Sequence, residues 1–346
     1  ELCLLQIAGS QRHALIDPFA PDIDLSLLKS IFFNPSILKV FHAARQDLEI
    51  FYLLWQDLPH PLFDTQIAAM ACGFGESIGY SQLVEALLKE KIDKTSQFTN
   101  WKHRPLSEKQ LRYALEDVTY LRKIYEKLHQ QLSQTNRLTW LEEELAILLS
   151  PLTYQQDTDK LWMALKPRNK SPRFLAKLKE LALARDLLAR AQNVPRPRIV
   201  KDQALLEMAS SPLTCLDDFE TLRGLPAGFS KKTIAQEFLA ALERAKKLPL
   251  EACPKFPPKK EDSKSLEPVV ELLRVLLKHI SNQHNLAPKM IATPEDLYHI
   301  AASEKPHCKA VQGWRYEIFG KEALALKSGE KFISLKNGCI QLETKK

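Results

Sequence analysis

Between Trp101 and Leu128 the chain reads WKHRPLSEKQLRYALEDVTYLRKIYEKL, and this stretch has the pattern of a long amphipathic helix. Ser107 and Gln110 stand at capping-box spacing, with Arg104-Pro105-Leu106 as the lead-in. Leu111, Ala114, Leu115, Val118, Leu121 and Leu128 recur at helical intervals and supply a buried face around which the rest must organise. Tyr113 and Asp117 are four apart, so their side chains lie one above the other. The neighbours of Asp117 at three and four positions are Tyr113, Ala114, Tyr120 and Leu121, none of them basic. Glu116, by contrast, has Arg112 four residues back and reads as an ordinary surface pair. A carboxylate at the border of an apolar face is costly unless its charge is compensated. Asp117 must find its partner elsewhere in the fold.

Asp47 repeats this logic. It falls in a helix expected from His42, its neighbours are Ala43, Ala44, Ile50 and Phe51, and nearby Glu49 has Arg45 four residues back. Two uncompensated carboxylates on separate helices could share a divalent cation, since hard cations take oxygen ligands. From the residues alone the alternative stays open that Asp47 bonds nearby backbone and Tyr113 is a core tyrosine. Asp64 precedes Thr65 and a helix, and reads as an N-cap, not a ligand. His42, at a strand–helix junction, reads as packed.

Apolar runs over Leu2–Ala8 and His13–Asp17 flank Gly9-Ser10 and predict a hairpin. A helix near 25–32, a strand over Ile37–Phe41, helices after His42 and Asp64, and another over about Ser81–Lys89 follow. Strands alternating with helices predict an α/β layer with a mixed sheet. From Thr139 onward strand signal almost vanishes. At 346 residues and 45% hydrophobic, the chain can hold two or three cores. It has no phosphate-loop motif, no apolar run of the roughly 20 residues that span a bilayer, and six cysteines without a Cys-x-x-Cys pair. A reducing, cytoplasmic setting is expected.

Charge is asymmetric. Residues 1–150 carry 15 basic and 19 acidic side chains, and residues 151–346 carry 34 and 23. The stretch 160–201 alone holds 12 basic and 2 acidic residues, which suits a polyanion partner. Residues 193–209 (NVPRPRIVKDQALLEMA) align without a gap on 285–301 (NLAPKMIATPEDLYHIA), an offset of 92, and Pro249–Pro268 between them reads as a linker. The C-terminal half is expected to contain two related helical domains.

HAARQDLEIF, LFDTQIAAM and RPLSEKQLRYALEDVTYL resemble the second and third exonuclease motifs of ribonuclease D, a DEDD-type 3′–5′ exonuclease of the tyrosine subtype. The two helical repeats resemble tandem HRDC domains. The resemblance implies an α/β ribonuclease H-like exonuclease domain (1–135), a helical connector (136–160), and two all-α HRDC-like domains (161–248 and 269–346) joined by a linker (249–268). It implies hydrolysis from the 3′ end of RNA, transfer RNA precursors above all, with two divalent ions, Mg²⁺ or Mn²⁺. Asp47 and Asp117 would be ligands and Tyr113 would orient the attacking water. Lys94, Gln97, Trp101 and Arg104 would line the substrate channel, while Arg168, Lys170, Arg173, Lys177, Arg196 and Arg198 would grip phosphates. The family's first motif, Asp-x-Glu, should precede LCLLQIA, and Glu1 does not fit it. The expectation is therefore a chain truncated at its N-terminus, lacking the first strand and weak in metal binding and activity. A non-catalytic nucleic-acid-binding relative and a DNA-directed exonuclease are the alternatives.

Overall fold

The two opening apolar runs pair as the expected hairpin. Strand β1 (Leu5–Ala8) lies antiparallel to β2 (His13–Ile16) with Leu5 opposite Ile16, and Gly9 N–H donates to the Arg12 carbonyl at 2.8 Å. The structure is a computed structural model that describes residues 2–155, 157–256 and 263–345. A short helix, α1 (Lys29–Phe32), precedes β3 (Lys39–Phe41), which pairs in parallel with β4 (Leu62–Asp64). Between these strands runs α2 (Arg45–Trp55). It begins later than the sequence predicts because Ala43 is in the left-handed region (φ 56°). Three further helices follow: α3 (Thr65–Ala71), α4 (Tyr80–Leu88) and the long α5 (Glu108–Gln134). The Ser107–Gln110 capping box forms as expected.

The mixed sheet is not continuous. Among the described residues, β1–β2 and β3–β4 are separate two-stranded pieces, and a cavity lies between the free edges of β1 and β3. The chain divides into two units, residues 1–154 with 262–346, and residues 155–261. The first contains α6 (Glu142–Leu148) as well. The second holds α7 (Pro172–Ala191), α8 (Arg196–Ile199), α9 (Asp202–Ser210) and α10 (Thr233–Lys247) around Leu178, Leu181, Leu205, Phe219 and Phe238.

The C-terminal segment repeats this plan. It comprises α11 (Ser263–His284), α12 (Pro288–Ile291), α13 (Pro294–Ala302), the single turn α14 (Gly313–Arg315) and α15 (Lys321–Ser328). The bounds of α12 and α13 equal those of α8 and α9 plus the offset of 92 seen in the sequence. Two boundaries differ from expectation. Helix α11 starts at Ser263, inside the stretch read as linker, with Pro268 within it. The segment also ends in a β-hairpin, β5 (Lys331–Lys336) with β6 (Cys339–Thr344), where helix alone was expected. Asn337-Gly338, both at positive φ, make its two-residue turn.

The second repeat shares one core with the exonuclease fold: Leu128, Leu132 and Leu141 pack with Leu276, Ile280 and Ile291. Asp64 is the anchor of the N-terminal layer. Only 3% exposed, it accepts N–H groups from Ala43 (3.2 Å), Ala44 (2.8 Å), Gln66 (2.7 Å) and Ile67 (3.4 Å). The N-cap reading holds, and the same carboxylate also fixes the β3–α2 junction. Replacing it strands buried donors on both sides. Asp64→Ala is expected to destabilise this unit by about 3 kcal/mol or more, beyond a single lost cap, read from the shift of its urea transition.

Candidate active site

Helices α2 and α5 bring Asp47 and Asp117 to one cavity of about 1110 Å³. Its apolar half is walled by β1, β3 and Phe51, Val118, Leu121 and Tyr125. Its polar half is lined by His42, Asp47, Tyr80, Lys94, Gln97, Trp101, Tyr113 and Asp117. Asp47 sits in the first turn of α2, where the helix dipole favours negative charge. Even so, burial beneath the cavity walls, with Asp64 nearby, pushes its carboxyl up to about 6. Its side chain keeps much exposed surface and lines the cavity. Asp117 is half-buried, and burial, with a smaller effect from Glu116, raises its carboxyl to about 7. Among the described residues, no hydrogen bond or ion pair reaches either carboxylate.

The donor chemistry fits a hard divalent cation, which takes carboxylate oxygens and water. No cluster of three or more His, Cys, Asp or Glu side chains able to hold a metal exists among the described residues. Tyr113 is held protonated, its hydroxyl pushed up by burial and then by Asp117. Its ring lies 6.1 Å from that of Trp101.

The loop before α5 is tied to this helix. Gln110 Nε2 donates to Thr99 Oγ1 (3.1 Å) and the Asn100 carbonyl (3.5 Å), and Trp101 Nε1 donates to the Gln97 carbonyl (3.4 Å). Phe98, next to cavity-lining Gln97, is 92% exposed. Arg104 is not in the lining. Its guanidinium pairs with Asp17 through two hydrogen bonds (2.6 and 2.7 Å) and donates to the Cys3 and Trp101 carbonyls (2.7 and 2.8 Å). It locks the loop to the first hairpin, outside the cavity lining, where a place along the channel was expected for it.

Sequence reasoning passed over Tyr80. Its hydroxyl donates to the Glu116 carbonyl at 2.9 Å and braces α5 beside Asp117, a contact that no local pattern announces. His42 is packed as expected: its Nδ1 lies 3.0 Å from Thr65 Oγ1, whose hydroxyl donates to the Phe41 carbonyl (2.9 Å), so Nδ1 is the donor.

The basic stretch of the second unit is partly committed to internal contacts. Arg173 donates to the Leu248 carbonyl (2.5 Å), Arg196 pairs with Asp186 (2.6 Å), and Lys170 sits 4.9 Å over the Phe256 ring. Lys177 donates to the Ser211 carbonyl at 3.3 Å. Arg168 and Arg198 are exposed, with no side-chain partner among the described residues.

Residues 1–133 match the family model described as 3′–5′ exonuclease, and residues 174–242 match the HRDC domain. The chain is thus a ribonuclease H-like 3′–5′ exonuclease carrying an HRDC helical domain. It is 41% identical over 345 residues to the ribonuclease D of Granulibacter bethesdensis, spanning 99% of this chain and 87% of that one. To the ribonuclease D of Bartonella henselae it is 43% identical over 341 residues, spanning 98% and 84%. The crystal structure of Escherichia coli RNase D, described as an exoribonuclease involved in structured RNA processing, matches with a TM-score of 0.78 at 28% identity, covering 95% of this chain and 89% of that one. The chain belongs to the ribonuclease D family of 3′–5′ exoribonucleases.

The raised carboxyls set a pH dependence for the metal-free protein. Each holds its proton in the folded chain where the unfolded chain, with an ordinary value of 3.8, has lost it. Stability is therefore highest at low pH on this account and declines as pH rises from about 4 to about 7. Asp117→Asn is expected to flatten the upper part of that decline in urea midpoints measured from pH 4 to 8 in EDTA.

Proposed function

We propose that the chain trims transfer RNA precursors and other structured RNAs from their 3′ ends in the cytoplasm, releasing nucleoside 5′-monophosphates. The observation that carries this reading is the convergence of Asp47 and Asp117, both without a counter-charge, on the cavity that also holds Tyr113. These two carboxylates would hold divalent ions, Mg²⁺ or Mn²⁺, which supply activation of water and stabilisation of the leaving 3′ oxygen. Tyr113, kept protonated, orients the attacking water through its hydroxyl. A tyrosine so disposed is a poor base at neutral pH and a good positioning group.

Lys94, Gln97 and Trp101 contact the last nucleotides of the strand. Phe98 offers an open aromatic face to an unpaired base, a contact tolerant of sequence. Arg168 and Arg198 contact phosphates further from the scissile bond. The segment from Ser263 serves as a second HRDC-like domain, a reading supported by the matched bounds of α8 with α12 and α9 with α13. In the hairpin-to-β3 gap, the apolar half of the cavity is a fitting place for one further strand.

One observation favours a second reading, RNA binding with little hydrolysis: of the carboxylates that line the cavity, Glu126 is paired with Arg122 and two are left for metal, whereas the DEDD pattern uses four. With two such carboxylates, the chain is expected to bind metal weakly and turn over slowly. Incubation of a 5′-labelled transfer RNA precursor with the chain and Mg²⁺ or Mn²⁺ tests both. Slow stepwise loss of 3′ nucleotides, abolished by Asp117→Asn, is the expected result. Tight binding without shortening would favour the second reading.

A further inference from the structure

A guanidinium has five N–H donors, and in Arg104 each of them meets an acceptor. Nε and one Nη2 proton grip the two carboxylate oxygens of Asp17 (2.6 and 2.7 Å). The other Nη2 proton reaches the Cys3 carbonyl (2.7 Å), and Nη1 donates to the Trp101 and His103 carbonyls (2.8 and 3.0 Å). The guanidinium carbon lies 4.9 Å over the Phe19 ring, and the Phe19 N–H donates to Asp17 (2.9 Å). One side chain thus joins three segments: the lead-in to β1, the residues just after β2, and the loop before α5.

These segments meet at the cavity. Cys3 belongs to its wall, and Gln97 and Trp101 belong to its polar half. Trp101 in turn stands beside Tyr113 and bonds the Gln97 carbonyl. The middle of the loop, Thr99 and Asn100, is held by Gln110 to α5 and not to the hairpin. Arg104 supplies the tie between the loop and the hairpin wall. An exposed ion pair contributes little by itself, but a bidentate guanidinium–carboxylate pair within a network is the exception. This pair is half-buried and has that form.

We infer that Asp17 and Arg104 form a clamp that positions Gln97 and Trp101 for the 3′ end of the RNA strand, with Arg104 a positioning residue and not a phosphate contact. Its donors are filled, so a phosphate could reach the guanidinium only by displacing a carbonyl or the carboxylate. What Arg104 does for RNA passes through Trp101, whose carbonyl it holds and whose ring stands beside Tyr113. The same geometry gives Asp17, an acidic residue, a favourable part in binding a polyanion. Charge alone predicts the reverse, since an acid near the path of a nucleic acid repels it. The two accounts therefore differ in sign, and the difference is greatest at low salt, where charge is least screened.

The inference rests on the exoribonuclease reading, and binding separates the two. Anisotropy of a short labelled single-stranded RNA with a free 3′ hydroxyl is to be followed in EDTA, where the strand stays intact, over about 50–200 mM salt. Two conservative variants and their combination are compared with the parent chain. Asp17→Asn removes the acid and keeps its shape, while Arg104→Lys keeps the charge and loses the fork. Each is expected to bind about threefold or more weakly at every salt concentration. The double variant is expected to bind no worse than the weaker single one, because both changes break the same clamp. A direct phosphate contact by Arg104 predicts instead tighter binding by Asp17→Asn and parent-like binding by Arg104→Lys. Parent-like or tighter binding by Asp17→Asn, parent-like binding by Arg104→Lys, or losses that add would overturn this inference alone. No RNA binding by the parent chain at any salt would overturn the exoribonuclease reading with it.

Discussion

The Asp64 carboxylate is the interaction on which the site depends. It receives backbone N–H groups from the start of α2 and the start of α3, so a single buried group sets how two helices leave two parallel strands. Asp47 lies three residues beyond Ala44, within the first turn so fixed. A carboxylate with four donors is well compensated. Asp47 and Asp117 have none, and that contrast within one domain separates a structural acid from two available ones.

Helix α5 carries the second half of the site and links it to the rest of its unit. At its start, Gln110 closes the capping box and holds the loop bearing Gln97, Phe98 and Trp101. One turn on comes Tyr113, and a turn further Asp117. Beyond its end, Arg137 bonds the Ala71 carbonyl (3.0 Å) and the His284 carbonyl, fastening the second repeat. The brace therefore bears on the same helix that presents the chemistry.

What could be read from the sequence was local. The capping box, the Asp64 cap and the absence of basic neighbours around Asp47 and Asp117 all follow from spacings of two to four residues. The repeat was legible because its turns recur at a fixed offset. What failed to show was distant. Arg104 looks like a free loop arginine until Asp17, 87 residues earlier, is placed against it. Tyr80 braces α5 across 36 residues with no periodic signal. Arg173 and Arg196 count as free charge in composition but are tied down by a carbonyl and by Asp186. The C-terminal hairpin is a different failure. Asn337-Gly338 between alternating residues is a local signal, and the helical character of the preceding residues obscured it.

The central claim is that α2 and α5 together form one cation site. Mn²⁺ binding, followed by electron paramagnetic resonance of the free ion, tests it directly in the chain, Asp47→Asn, Asp117→Asn and the double variant. A shared site predicts that either substitution removes most of the affinity and that the second adds little, a strongly non-additive cycle. Losses that simply add, or affinity untouched by either change, would contradict it.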